Sequence, residues 1–404
     1  MKTAILRDNR DYVRLWGAAA VSELGSQLTL IAFPLLVLGL GGNAAQAGLV
    51  ASCSLLTRLV LRLPGGHLAD RLDRRRLMLT TDLVRLVAVG SIPLAAMLHG
   101  PAYPQLLAVA AIEGAATALF GPGASIALRD VVARERLTEA FAMSQARVAA
   151  IDMAGPALGG LLFGIDRVLP FTVDAASYGM SAVLLLGIRA RQQQRSGGRR
   201  PDGGVTAGFQ WLRRQSSVLR VLTFCCVVNL VAAAADVLVV VSMRIHGASG
   251  ATIGVVMACA GAGAVVGSLL AMRVIRLLPS ARLFVAVGAV WAVGCAVFAT
   301  TRSPWVIAPL LLVMMLLAPA TGIRLGEITL GQAPAGILGR VSTAQSMTST
   351  GLASAGPLLA GVGLQAIGGP LSWAILAAFC VAAAVFVAAP ALRSRADLLA
   401  ETHA

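Results

Sequence analysis

Runs of about twenty residues almost free of charge recur from one end of this chain to the other, and few folds accept that pattern. A helix needs about 20 mostly apolar residues to cross a bilayer, and only helices and closed barrels satisfy their backbone polar groups there. Twelve candidate spans are predicted: 13–38, 47–69, 77–98, 102–128, 137–163, 168–188, 218–243, 251–278, 281–301, 304–330, 337–366 and 370–391. Segments 137–163 and 337–366 carry polar residues and are the weakest of the twelve. Of the 404 residues, 57% are hydrophobic and 13% charged, with a mean hydropathy of +0.82, too apolar for a soluble globule. The expected class is an all-α membrane protein.

A net charge of +15 would suit a nucleic-acid binder, but the positions argue otherwise. Basic residues fill alternate connections: Lys2 to Arg14, Arg71 to Arg76, Arg129 to Arg136, Arg189 to Arg220, Arg273 to Arg282, Arg340, and Arg393 with Arg395. The opposite connections hold little beyond Arg167, Arg244 and Arg302. This bias places both termini in the cytoplasm. It is a topology signal, with no nucleic-acid partner expected. The first span is longer than a signal-peptide core, so no cleavage is expected. Cys53, Cys225, Cys226, Cys259, Cys295 and Cys380 all fall in spans without a Cys-x-x-Cys pair, and read as apolar packers.

The chain looks duplicated. A shift of 201 residues carries Gly155-Pro156-Ala157-Leu158-Gly159-Gly160 onto Gly356-Pro357-Leu358-Leu359-Ala360-Gly361, and Gly66 onto Gly267. Residues 1–188 and 218–404 then form two six-helix bundles joined by 189–217, whose Arg, Gln, Ser and Gly content is that of a solvated linker.

After the second span the chain reads Gly65-Gly66-His67-Leu68-Ala69-Asp70-Arg71-Leu72-Asp73-Arg74-Arg75-Arg76. This resembles the G-x-L-A-D-R-x-G-R-R loop of major facilitator superfamily transporters, with Asp73 in the place of a glycine. Gly155, Pro156, Gly159 and Gly160 are similar to the fifth-helix motif of that superfamily's antiporters, without its upstream glycines. Asn9 to Trp16, Ser22-Glu23-Leu24-Gly25, Gly208-Phe209-Gln210-Trp211-Leu212 and Leu338-Gly339-Arg340-Val341 resemble bacterial exporters of the enterobactin-exporter and macrolide-efflux type. The resemblance implies the twelve-helix, two-bundle fold with substrate bound near the midplane. It also implies a cytoplasmic gate of Gly66, Asp70, Arg71, Arg74 and Arg75. There Asp70 would meet the start of the eleventh helix, at 336–340, where the helix dipole favours an acid.

Charges inside spans are expensive and therefore functional candidates. Glu23, Glu113, Asp236 and Glu327 fall one each on spans one, four, seven and ten, which line the central cavity in the superfamily. A carboxyl in such a cavity can take a proton and release it on the other side. Glu113 is the first candidate, then Glu23. Glu327 either serves the cavity or pairs with Arg324, one turn away. Arg58 and Arg62 share a helix face. They read as an anion-recognition pair, or as partners of Glu23 or Asp152, with Arg62 alternatively snorkelling. Asp152 is either a cavity residue or a partner for Arg58 or Arg147. Asp174 reads as structural, and Asp82 as a partner for Arg85 or the Arg74–Arg76 cluster. The arginine that many proton-coupled members carry three residues before Glu113 is Ala110 here.

The only lysine is Lys2, so no P-loop is present, and no H-E-x-x-H or G-x-S-x-G motif appears. No enzyme activity, cofactor or metal is expected. The expected function is a secondary active transporter of the bacterial inner membrane, monomeric, exporting drugs, siderophores or other natural products, with proton antiport. The alternative is a lysophospholipid or other lipid transporter of the same fold, with Arg58 and Arg62 holding a phosphate.

Overall fold

The computed structural model describes the backbone of residues 9–188, 205–334 and 337–401, and their side chains except at 63–71, 129, 134, 138, 205, 339 and 390–401. Among the described residues there is no strand. Six long helices come first: α1 (Arg10–Gly39), α2 (Ala44–Arg71), α3 (Arg74–Leu98), α4 (Tyr103–Val131), α5 (Leu137–Ile165) and α6 (Leu169–Leu186). A short α7 (Val205–Arg214) follows, then α8 (Ser216–Ile245), α9 (Gly250–Leu277), α10 (Ser280–Thr300), α11 (Pro304–Gln332), α12 (Leu338–Ala366) and α13 (Gly369–Glu401). The fold is all-α and membrane-spanning. Among the described residues, eleven helices are long and apolar enough to cross a membrane. The twelfth predicted span is α12, a 29-residue helix whose Ser342, Thr343, Gln345, Ser346, Thr348, Ser349 and Thr350 thin its apolar content.

Local chemistry sets the helix ends. Asn9 caps α1 by accepting from the Tyr12 amide at 3.0 Å. Asp73 caps α3 by accepting from the Arg76 amide at 2.9 Å. Here an acid replaces the glycine of the family loop and satisfies a free helix N–H. Gly41, Gly100, Gly247 and Gly368 close the turns after α1, α3, α8 and α12 with φ between 80° and 86°, a conformation that disfavours any side chain.

The described residues pack as two compact units. One holds α1–α6 together with Val239–Ala258; the other holds α7, α8 to Leu238, and the chain from Cys259 onward. In the first unit α1 lies against α5 and α6, α2 against α4, and α3 against α4 and α6. In the second, α10 lies against α11 and α13, and α7 against α12. Aromatic pairs sit in each core: Phe33 edge-on to Phe171 at 5.1 Å, Phe224 to Phe284 at 5.2 Å, and Phe298 to Trp373 at 5.0 Å. Large apolar side chains such as Met97, Leu269 and Trp305 are exposed, as lipid-facing positions require.

Residues 189–204 of the expected linker lie outside the described residues. Its second half is not an unstructured joint: Val205–Arg214 is helix. Leu212 is buried with Val218, Leu222, Cys226, Val341 and Ala344, and Trp211 packs on that cluster. A Cβ at Gly208 would strike the Arg340 carbonyl, so only glycine lets α7 lie on the start of α12.

Candidate functional site

The charged residues of the first unit's spans fall into a part-buried to exposed group and a fully buried one. In the first group, Arg147 of α5 reaches across to α1 and binds both oxygens of Glu23, at 3.1 Å each. This two-pronged geometry is the strongest form of ion pair. Arg147 also donates to the Trp16 carbonyl at 3.4 Å and lies over the Trp16 ring at 5.8 Å, which fixes its orientation. One turn along α5, the exposed Asp152 accepts a hydrogen bond from Gln27 of α1. Arg58 on α2 is exposed and within electrostatic reach of Arg62, Arg85, Asp152 and Glu23. Arg62 is also exposed. The guanidinium on Glu23 is therefore that of Arg147, and Asp152 holds a glutamine rather than an arginine. Arg147 does not stand out in the sequence as a site residue; its signal is a lone arginine within an apolar run.

Glu113 of α4 is in the buried group. It accepts from the Tyr178 hydroxyl at 3.4 Å, and that hydroxyl lies 2.9 Å from Ser26 on α1. Asp174, four residues before Tyr178, accepts from Thr29 at 3.0 Å. The buried Asp82 and Arg85 pair at 3.8 Å.

On the arginine-rich loop, Arg74 pairs with Asp130 at the end of α4. Arg75 donates to the Leu185 carbonyl at 2.9 Å and also to that of Leu186. A cation on the last carbonyls of α6 meets the negative end of its dipole. Gly66, Asp70 and Arg71 lie where side chains are not described, and the expected partner segment begins at 336, outside the described residues.

The α5 glycines mark bare-backbone approaches. A Cβ at Gly155 would strike Gln27, and one at Gly159 the Leu28 backbone of α1. A Cβ at Gly160 would strike the backbone of Gly250 and Gly254 on α9, with Pro156 and its neighbour Ala157 facing Gly254. In the second unit, Gly356 of α12 lies against Leu230 and Ala234 of α8, repeating the α5-on-α1 contact. Also in that unit, Arg324 pairs with Glu327 at 2.9 Å and donates to the Ile275 carbonyl at 3.0 Å. Asp236 on α8 is half-buried, and among the described residues no hydrogen bond or ion pair reaches it.

Comparison with known proteins places this arrangement. The Major Facilitator Superfamily sequence model matches residues 15–355. The chain is 32% identical over 208 residues to "Multidrug efflux pump Tap" of Mycobacterium tuberculosis (strain ATCC 25618 / H37Rv), covering 48% of each. It is 27% identical over 273 residues to the MFS-type transporter YfiS of Bacillus subtilis (strain 168), covering 65% of this chain and 64% of that one. The chain thus spans about half the length of the multidrug relatives it matches. Among solved structures, a bacterial homologue of the human lysosomal transporter Spinster, inward-facing and occupied, superposes with a TM-score of 0.75 at 14% identity. That match covers 95% of this chain and 96% of the other. The nucleoside transporter NupG gives 0.74 at 13%, covering 94% and 98%. At these identities the likeness concerns the fold.

Proposed function

We propose that this chain, which belongs to the Major Facilitator Superfamily, exports drug-like or siderophore-like compounds by alternating access with proton antiport. The family makes it a multi-pass membrane transporter and not an enzyme. The observation that carries the export reading is the part-buried pair of Glu23 and Arg147 with the exposed Asp152 and Arg58 beside it, on three spans. Exposed charges within spans, as at Asp152 and Arg58, need water or substrate beside them. The relatives named as multidrug efflux pumps support the same direction of transport.

In this reading Glu23 and Arg147 hold each other until a charged substrate group competes for one of them. Asp152 and Arg58 offer opposite charges close by, which suits zwitterionic or anionic compounds. Glu113 takes and releases the coupled proton. The chain sits in the bacterial inner membrane as a monomer with both termini cytoplasmic, following the arginine bias. Asp70 with Arg71, Arg74 and Arg75 closes the cytoplasmic side, and Asp236, Arg324 and Glu327 serve the second unit.

The test is retention of ethidium, tetracycline, a macrolide and enterobactin in a pump-deficient bacterium expressing the chain or its Asp70→Asn variant, with and without a protonophore. Faster loss with the intact chain only, stopped by the protonophore, is the expected result. Loss that continues with the protonophore removes proton coupling. A lipid reading has its own support, since Arg58 and Arg62 are both exposed on one face of α2. If no compound in the panel moves, labelled lysophospholipid in the same cells decides for it.

A further inference from the structure

Asp82, Arg85, Glu113 and Asp174 are the charged side chains that are buried among the described residues, and all four lie in the first unit. Their exposures are 0%, 3%, 7% and 0%. Three carboxyls thus share an interior with one guanidinium. They lie along a line of polar groups whose spacing is helical: the hydroxyls of Ser22, Ser26 and Thr29 on α1, and Asp174 with the hydroxyls of Tyr178 and Ser181 on α6. Gly25 lets the helices close, because a Cβ there would strike Asp174 and Ser177.

Arg85 belongs mainly to Asp82. The two are 3.8 Å apart, Ser22 accepts from Arg85 at 3.3 Å and lies 3.4 Å from Asp82, and Ser181 donates to Asp82 at 2.6 Å. Arg85 also donates to Thr117 at 2.9 Å, one turn beyond Glu113, and its guanidinium lies over the Tyr178 ring at 5.2 Å. Among the described residues its Nε has no hydrogen-bond partner. Glu113 and Asp174 therefore have no cation of their own. Between them stands the Tyr178 hydroxyl, 3.4 Å from Glu113 and, from one turn along α6, within reach of Asp174. The other groups that meet the pair are neutral: Ser26 and Thr29 on α1 and Ser177 on α6. Two unpaired carboxylates in such an interior would be strongly unfavourable, and proteins relieve that state by binding protons.

We propose that Glu113 and Asp174 form a two-carboxyl proton site bridged by Tyr178, with Arg85 as the counter-charge for whichever carboxyl ionises. This deepens the proton-coupling reading above and rests on it. A proton leaves the Asp174 carboxyl as an O–H bond forms on the Tyr178 oxygen. The Tyr178 O–H bond breaks as one forms on Glu113. One proton moves and no electrons do. Arg85, within electrostatic reach of both carboxyls, balances the negative charge left behind. The arginine absent at Ala110 on α4 is thus supplied from α3, by a residue that pairing rules alone assign to Asp82.

The test is infrared difference spectroscopy between acidic and alkaline buffer, on the purified full chain in lipid vesicles without substrate. A carboxylic-acid carbonyl band that shifts in heavy water is expected. Glu113→Gln and Asp174→Asn should each lower it and the double variant should remove it, while Asp166→Asn, in an exposed loop, leaves it unchanged. Tyr178→Phe, which preserves shape, should keep the band and shift its frequency; it carries the test if the carboxyl variants fail to fold. A band absent from the intact chain, or unmoved in the double variant and in Tyr178→Phe, overturns the site. Loss of the band when sodium chloride replaces choline chloride overturns it in favour of a bound cation. Because no substrate is used, the two readings fail separately. A normal band in a chain whose export ignores a protonophore removes the coupling alone.

Discussion

At the scale of residues, the pair at the centre of the first group of charges is Glu23 with Arg147. Arg147 is 10% exposed and Glu23 37%, so removing the acid leaves a largely buried guanidinium without its partner. Glu23→Ala should destabilise the chain by about 2 kcal/mol, the upper range for a broken charged hydrogen bond being reduced by the solvent at Glu23. Thermal unfolding in detergent reads this, and Glu23→Gln should recover about half of it by keeping one hydrogen bond. Asp73 gives a second test. Asp73→Ala removes the α3 cap and should cost about 1 kcal/mol, whereas Asp73→Gly, the residue of the family loop, should cost only a few tenths. The four acids on spans one, four, seven and ten are legible in the sequence, because an acid in an apolar run stands out. Their partners are not. Arg147 lies 124 residues from Glu23 and Tyr178 lies 65 from Glu113, and no local spacing links them. Asp174 reads as structural from its place near a helix start, and only the packing of α6 on α1 and α3, with α4 on α3, sets it beside Glu113.

At the scale of elements, helix existence is plain from the apolar runs, while helix roles come from glycines. The duplicated Gly-Pro-x-x-x-Gly pattern can be seen in the sequence at a shift of 201 residues, and in each unit its first glycine meets that unit's first long helix. Gly254→Val would push against Gly160 and the carbonyls of Pro156 and Ala157, at 2.9 to 3.0 Å from a Cβ. Overpacking of this kind costs about 1–3 kcal/mol. Export should fall at least tenfold while protein stays in the membrane, as read by efflux rate against immunoblot. The helix α7 escapes the sequence reading because it follows an arginine- and glycine-rich stretch whose composition is that of a linker. Gly208→Val should lift it from α12, where it covers Val341, and raise protease cleavage near Trp211 without loss of membrane insertion.

At the scale of the whole molecule, the arginine bias makes a prediction that needs no substrate. In a cysteine-free background, His246→Cys should react with a membrane-impermeant maleimide on intact cells, and Arg76→Cys only after permeabilisation. Both side chains are exposed, so access decides the result. The reverse pattern would invert the proposed orientation. Fold class and family were legible because apolar length and a twelve-residue loop survive without any three-dimensional knowledge. Among the spans the polar α12 is the hardest to read, since its polar side chains find partners within the protein: Gln345 donates to Thr329 at 2.8 Å and Asn229 to Ser349 at 2.8 Å. Where Gly160 meets Gly250 and Gly254, bare main chain faces bare main chain. Interlocked side chains make helices move like meshed gears, in discrete jumps from one groove to the next. Two smooth surfaces have no teeth to disengage. That contact is a plain bearing, along which one helix can turn or glide by small increments, with no rotamer to flip on the way.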